Sequence, residues 1–197
     1  MAGNRNPPPE KRLPDDRRPQ ADRCRLVIAD AIGTELAAHL LGTDLEQFAY
    51  LLGRAETTGD RWGRRIITVR ARRALLLPDA ALTVQSPTRV EVATDISRTV
   101  LRTCYEHALS LIDVHSHPSA SAPAAFSGAD RANAMETHRE FHATIPARPL
   151  VIAASLVLTR TGVDGLWFNP RTGRLTPLDI SSAAHALLAQ RDESAGG

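Results

Sequence analysis

A chain of 197 residues, 43% of them apolar, is long enough to bury one sizeable core and too short for two. A formal charge of +2 and an aromatic content of 4% argue against a nucleic-acid binder built on bulk charge or base stacking. The apolar run Leu150 to Leu158 is only about half a bilayer span, and no apolar stretch follows basic residues at the N-terminus, so a cytoplasmic protein without a membrane segment is expected.

Residues 1–22 hold Pro7, Pro8, Pro9, Pro14 and Pro19 among many charges, which predicts a flexible tail ahead of a domain over 23–190, with 191–197 similarly loose. Apolar residues at helical spacing (Ile32, Leu36, Leu40, Leu41) predict a helix from Ala31 to Leu41, ended by Gly42. Phe48 to Gly53 and Arg65 to Arg72 read as strands joined through the turn-rich Thr57 to Gly63, a hairpin. Asp95 to Leu109 reads as a helix with Ile96, Val100, Leu101 and Tyr105 on one side, leading to a buried strand from Leu109 to Val114 that enters His115. Ser127, with Asp130 in the first turn behind it, caps another helix. Leu150 to Leu158 is the clearest strand; Val163 to Phe168 and Gly173 to Leu178 form a second hairpin, and Ile180 to Gln190 a closing helix. Strands and helices mix without regular repetition, so the class is α+β or mixed α/β in a single domain.

Two cysteines, Cys24 and Cys104, make neither a disulfide framework nor a zinc knuckle and are expected as small buried or half-buried thiols. A metal in this chain therefore needs imidazole and carboxylate ligands. His115-Ser-His117-Pro118 followed by Ser127-Gly-Ala-Asp130 supplies them. Histidines at i and i+2 on a strand end project to one face, and an Asp one turn into the next helix can reach the same ion. A lone His-x-His is more often solvated than metallated. Here a hydrophobic strand delivers the pair and a capped helix returns Asp130, giving a His₂Asp set with a fourth position open to water. These ligand types do not by themselves distinguish zinc from iron or manganese.

The arrangement resembles the JAB/MPN (JAMM) metalloprotease family, whose motif is an upstream Glu, then His-x-His-Pro, then Ser-x-x-Asp. His115, His117, Ser127 and Asp130 match its downstream part. Glu46, ahead of the short apolar strand ending at Gly53, matches the upstream part, and Ala153 to Leu158 looks like the strand after the motif helix. The stretch Ser119 to Phe126 is longer than the commoner family spacing, as in relatives from bacterial ubiquitin-like operons that carry Phe-Ser-Gly-x-Asp, matched by Phe126 to Asp130. The resemblance covers about residues 25–180 and implies a cytidine-deaminase-like sheet flanked by helices.

It also implies a zinc ion held by His115, His117 and Asp130, Glu46 as general base and then acid, and Ser127 hydrogen-bonding the oxyanion. The implied activity is hydrolysis of an isopeptide or peptide bond after the C-terminus of a ubiquitin-like or sulfur-carrier protein, with E1-like and E2-like partners. A non-catalytic scaffold and a DNA-repair-associated relative are the alternatives. For Glu46 the rival is Glu56, which follows Gly53 and falls in the turn; the bland reading of Glu46 is a strand start or a cap after Thr43-Asp44. Ser127 has two open readings, helix cap and catalytic donor. His138 and His142, four apart, read as solvated helix-face residues, Asp113 as a support for a ligand, and Arg70 and Arg72 as a solvated strand edge or a surface for an acidic partner.

Overall fold

The computed structural model describes residues 22–59, 65–120, 122–145 and 149–181. Among the described residues three helices pack on an eight-stranded sheet whose order is β10-β1-β3-β2-β6-β7-β8-β9. The strands are β1 (Arg23–Val27), β2 (Phe48–Gly59), β3 (Arg65–Leu76), β6 (Ser110–Ser116), β7 (Ala153–Thr159), β8 (Gly162–Asn169), β9 (Arg174–Pro177) and β10 (Asp179–Ile180). A separate two-stranded ribbon, β4 (Leu82–Ser86) and β5 (Arg89–Val92), follows a 3-10 turn at Asp79–Ala81. The helices are α1 (Asp30–Leu40), α2 (Thr94–His107) and α3 (Gly128–Thr144). The class is α+β.

Strands β6 and β7 pair in parallel and are almost entirely buried, which explains their near-continuous apolar runs. One face packs Leu51, Ile112, Val114, Ile152 and Trp167 beneath Leu36 and Leu40 of α1. The other packs Tyr50, Leu52, Leu111 and Ala153 beneath Val100 and Cys104 of α2 and Phe141 of α3. The chain passes from one sheet edge to the other at Leu178, whose N–H donates to Gly165 O at 2.9 Å, and Ser181 N–H then donates to Leu26 O at 2.9 Å. The sheet is thereby nearly closed on itself.

Both predicted hairpins form, and the first is longer than expected: β2 runs to Gly59 and β3 to Leu76. A bulge lies between Leu52 and Gly53. A Cβ on Gly53 would stand 2.4 Å from Arg70 O, so the close backbone approach at the bulge demands glycine. Glu56 is therefore not in a turn; it lies in β2 opposite Thr68 and pairs with Arg70 at 3.0 Å. Arg70 and Arg72 are not on a sheet edge, because β3 is flanked by β1 and β2. Tyr105 is 54% exposed, and Cys104 takes the inward position expected of it on α2. Both cysteines are buried, and burial pushes each thiol up to about 12.

Ile180, read as the start of a helix, pairs as a strand residue with Leu26. The rest of that helix, the N-terminal tail up to residue 21 and the tail over 191–197 lie outside the described residues. Strand β1 and the β4–β5 ribbon were not anticipated. No helix among the described residues is long and apolar enough to cross a membrane.

Candidate metal centre

Strand register builds the centre. β2 runs antiparallel to β6 with Phe48 opposite His115. Continuing that register by two residues sets Glu46 beside His117, and Glu46 Oε1 lies 3.7 Å from His117 Nε2. Ser116, fully buried between the two histidines, extends the ladder. Its N–H donates to Gln47 O at 3.2 Å, and its Oγ accepts from Gln47 N–H at 3.0 Å. The ribbon holds Glu46 from the other side: Glu46 N–H donates to Ser86 O at 2.9 Å, and Gln85 Nε2 donates to Glu46 O at 3.3 Å. The backbone groups of residues 46 and 47 are thus all bonded, two of them through side chains.

Asp130 comes from the first turn of α3, and the helix start is what aims it. Ser127 Oγ accepts from Asp130 N–H at 3.2 Å while Asp130 Oδ2 accepts from Ser127 N–H at 2.7 Å, a reciprocal capping box. Held so, Asp130 Oδ1 is 3.6 Å from His115 Nε2 and Oδ2 is 3.6 Å from His117 Nε2. The two Nε2 atoms are 3.2 Å apart.

The longer loop after Pro118 is anchored by Phe126. Its ring is buried against Val157 and Leu166 and meets the His115 ring edge-on at 6.1 Å. Across the mouth, Arg160 donates to Pro118 O at 3.3 Å and to Asp44 Oδ1 at 3.0 Å, tying the two rims together.

The donor set suits a divalent ion. Ligands on a tetrahedral zinc at 2.0–2.1 Å are separated by about 3.3–3.4 Å, near the 3.2 and 3.6 Å found here. His115, His117 and Asp130 therefore can hold a metal ion. The shifts at Asp130 and His117 run in the direction that use requires, since a ligand carboxylate must be ionised and a ligand imidazole neutral. The His115 imidazole beside it, then hydrogen bonding from Ser127, holds Asp130 well below the usual carboxylate range against the opposing effect of burial. Burial, with His115 nearby, lowers His117. Glu46 behaves in the opposite way: burial pushes it up to about 7, with His115 pulling it down and Asp130 adding to the rise.

The structure thus brings together Glu46, His115, His117, Ser127 and Asp130 and leaves Glu56 on the distant half of β2. It corrects the reading of His138, which is not solvated but 2% exposed. His138 Nε2 lies 3.0 Å from Asp113 Oδ2 and 3.0 Å from Ser155 Oγ, and Ser155 Oγ donates to Asp113 Oδ2 at 2.9 Å. Asp113 accordingly supports this second cluster and not a ligand histidine. His142 is half-buried with its ring 5.4 Å from that of Phe168. Ser116, which holds Gln47, and Gln85 and Ser86, which hold Glu46, were missed. The Ser in His-Ser-His was the available signal for the first; the short ribbon carried none.

No protein-family model matches the chain, and no curated protein matches it. Among solved structures the chain is similar to the N-terminal domain of STIL from Trichoplax adhaerens, with 15% identity over 72% of this chain and a TM-score of 0.30. The chain spans 41% of that structure, and a likeness at this level assigns neither a fold family nor an activity.

Proposed function

We propose that the protein is a zinc-dependent peptidase of the JAB/MPN (JAMM) type that cleaves the bond following the C-terminal tail of a ubiquitin-like protein. The observation that carries this reading is Glu46: a buried carboxylate, pushed up to about 7, standing 3.7 Å from one histidine of a His₂Asp donor set. A structural ion site gains nothing from such a group, whereas a hydrolytic one needs a base poised near neutrality.

His115, His117 and Asp130 would hold the ion, which when bound would supply Lewis acidity and a water whose pKa is lowered to about 7. Glu46 takes the proton of the attacking water and returns it to the departing amine. Bonds of Ser86 and Gln85 to the Glu46 backbone, and of Ser116 to the Gln47 backbone, fix the stretch of chain that carries the carboxylate. Ser127 serves both its open readings. Its oxygen accepts from Asp130 N–H, which leaves its hydroxyl proton to donate to the oxyanion. Asp113 lies on the same strand two residues before His115, but its carboxylate is committed to His138 and Ser155, which leaves Glu46 as the base.

Purified full-length protein is expected to bind one zinc per chain and to cleave a ubiquitin-like protein fused through its C-terminus. Glu46→Ala should abolish cleavage with zinc retained. Cleavage that persists in Glu46→Ala or in excess chelator rules the mechanism out, and a chain that takes up no stoichiometric metal points to a scaffold instead.

A further inference from the structure

Past Gly53 the sheet changes character. β6 pairs with β2 only as far as Gly53, and from Arg54 to Gly59 β2 is bonded to β3 alone among the described residues. One side of β1 and β3 buries Cys24, Leu26, Ile67, Val69 and Ala71. The exposed residues of these two strands are all arginine: Arg23, Arg25 and Arg70 alternate with the buried ones, and Arg72 and Arg73 are the consecutive pair that the bulge sets opposite Leu52. Arg54 of β2, also exposed, stands directly opposite Arg70.

Folding alone does not ask for this. Solvation at an open sheet face needs only polar side chains, and like charges directly opposite one another destabilise a sheet. Lysine and arginine together number 24 in 197 residues, one of them Lys11, so arginine fills about one position in nine. Its occupation of all the exposed positions in two adjoining strands concentrates positive charge on one face of a chain whose formal total is +2.

The face also shows which anion it accepts. Among the described residues two carboxylates reach it: Glu56 accepts from Arg70 at 3.0 Å, and Asp179 from Arg23 at 2.7 Å. Guanidinium groups pair well with carboxylates in this way. Neither β1, β3 nor Arg54–Gly59 contains an aromatic residue, so the face offers no ring on which a base could stack.

We propose that the outer face of β1, β3 and the distal half of β2 is a docking surface for an acidic protein segment, with Arg25, Arg54 and Arg72 among the groups that receive its carboxylates. The surface is separate from the metal centre. It shares the face of β2 that carries Phe48, six residues before Arg54, or about 20 Å at ~3.3 Å per residue. Binding there does not depend on the peptidase reading.

The test uses the full chain and a fluorescent peptide that alternates Glu and Ser over twelve residues. Binding should weaken about tenfold or more between low and physiological salt. Arg54→Ser with Arg72→Ser should cost at least a further tenfold. The equally charged control, Arg98→Ser with Arg139→Ser on the exposed helix surfaces, should bind as wild type. Equal binding by both double variants overturns the proposal. So does tighter binding of a short DNA duplex that depends on Arg54 and Arg72, or binding that appears only once residues 182–197 are removed, which makes the chain's own C-terminal segment the occupant.

Discussion

Helix α3 carries a histidine, carboxylate and hydroxyl cluster near each end, and the same side-chain types do different things at the two. At the N-terminal end His115, His117, Asp130 and Glu46 face one another at 3.6–3.7 Å, with the imidazole nitrogens 3.2 Å apart. The carboxylate contacts are too long for hydrogen bonds and suited to sharing an ion. Further along, His138, Asp113 and Ser155 close to 2.9–3.0 Å, and His138 is buried. There the protons of the side chains themselves fill the space. Spacing, more than composition, separates a site that can hold an ion from a pin that fixes a helix. Asp113 and Ser155 are partners across the β6–β7 pair, so His138 ties α3 to both strands.

The largest effects belong to the open end. Glu46→Gln should lower kcat on a ubiquitin-like fusion about 10²–10⁴-fold, the range for loss of a general base, with one zinc per chain retained. His115→Ala should lose the ion as well as the activity, measured by metal content after gel filtration. A Glu46→Gln protein that loses zinc as readily as His115→Ala would make the glutamate a ligand and erase the distinction.

At the closed end the expected loss is in stability. His138→Leu leaves Asp113 and Ser155 short of a partner and should cost about 1–3 kcal/mol in urea unfolding. Asp113→Leu added to it should cost less than the two singly, because removing both partners removes the unsatisfied group. Zinc removal by chelation should lower the melting temperature of wild type and of His138→Leu by similar amounts. Asp130 and His138 lie about 12 Å apart along the helix, far enough for independent terms to add. A strong departure from additivity would show that the pin and the ion act as one unit.

The two ends were not equally legible. The open end can be read because its residues are close in sequence and their spacing follows from strand and helix periods: 115 and 117 on one strand face, 127 and 130 across one helical turn. Glu46 lies far away in sequence, but the apolar strand after it and Gly53 mark its register, and Gly53 proved to be a bulge that a Cβ would block. The closed end joins β6, β7 and α3, which no local pattern connects. Yet His138 sits on the stripe Ala134, His138, Phe141, Ile145, all buried, so helical periodicity pointed it inward while its polarity suggested solvent. The ribbon was missed because its strands are short and half-exposed, and β1 because its alternation of Arg with Cys and Leu spans only five residues. Most core strands and the three helices among the described residues could be placed; pairings that close the sheet, such as Leu178 to Gly165, could not.

The smallest effect separates the ends by acid. His142, one turn beyond His138, is lowered to about 4 by burial first and by His138 second. In the unfolded chain an imidazole takes its proton near pH 6.5, so the unfolded state binds that proton before the folded state does. Stability from this residue is therefore complete above about 6.5 and is lost as pH falls towards 4, by about 1–2 kcal/mol after allowance for the half-buried ring. His142→Gln, which cannot titrate, should flatten that part of the unfolding profile between pH 6.5 and 4. Its zinc content at pH 7.5 should match wild type, because the ring lies three turns along α3 from Asp130, about 18 Å. An unchanged acid limb in His142→Gln would move the acid sensitivity to the other end of the helix, where protonation competes with the ion for His115 and His117.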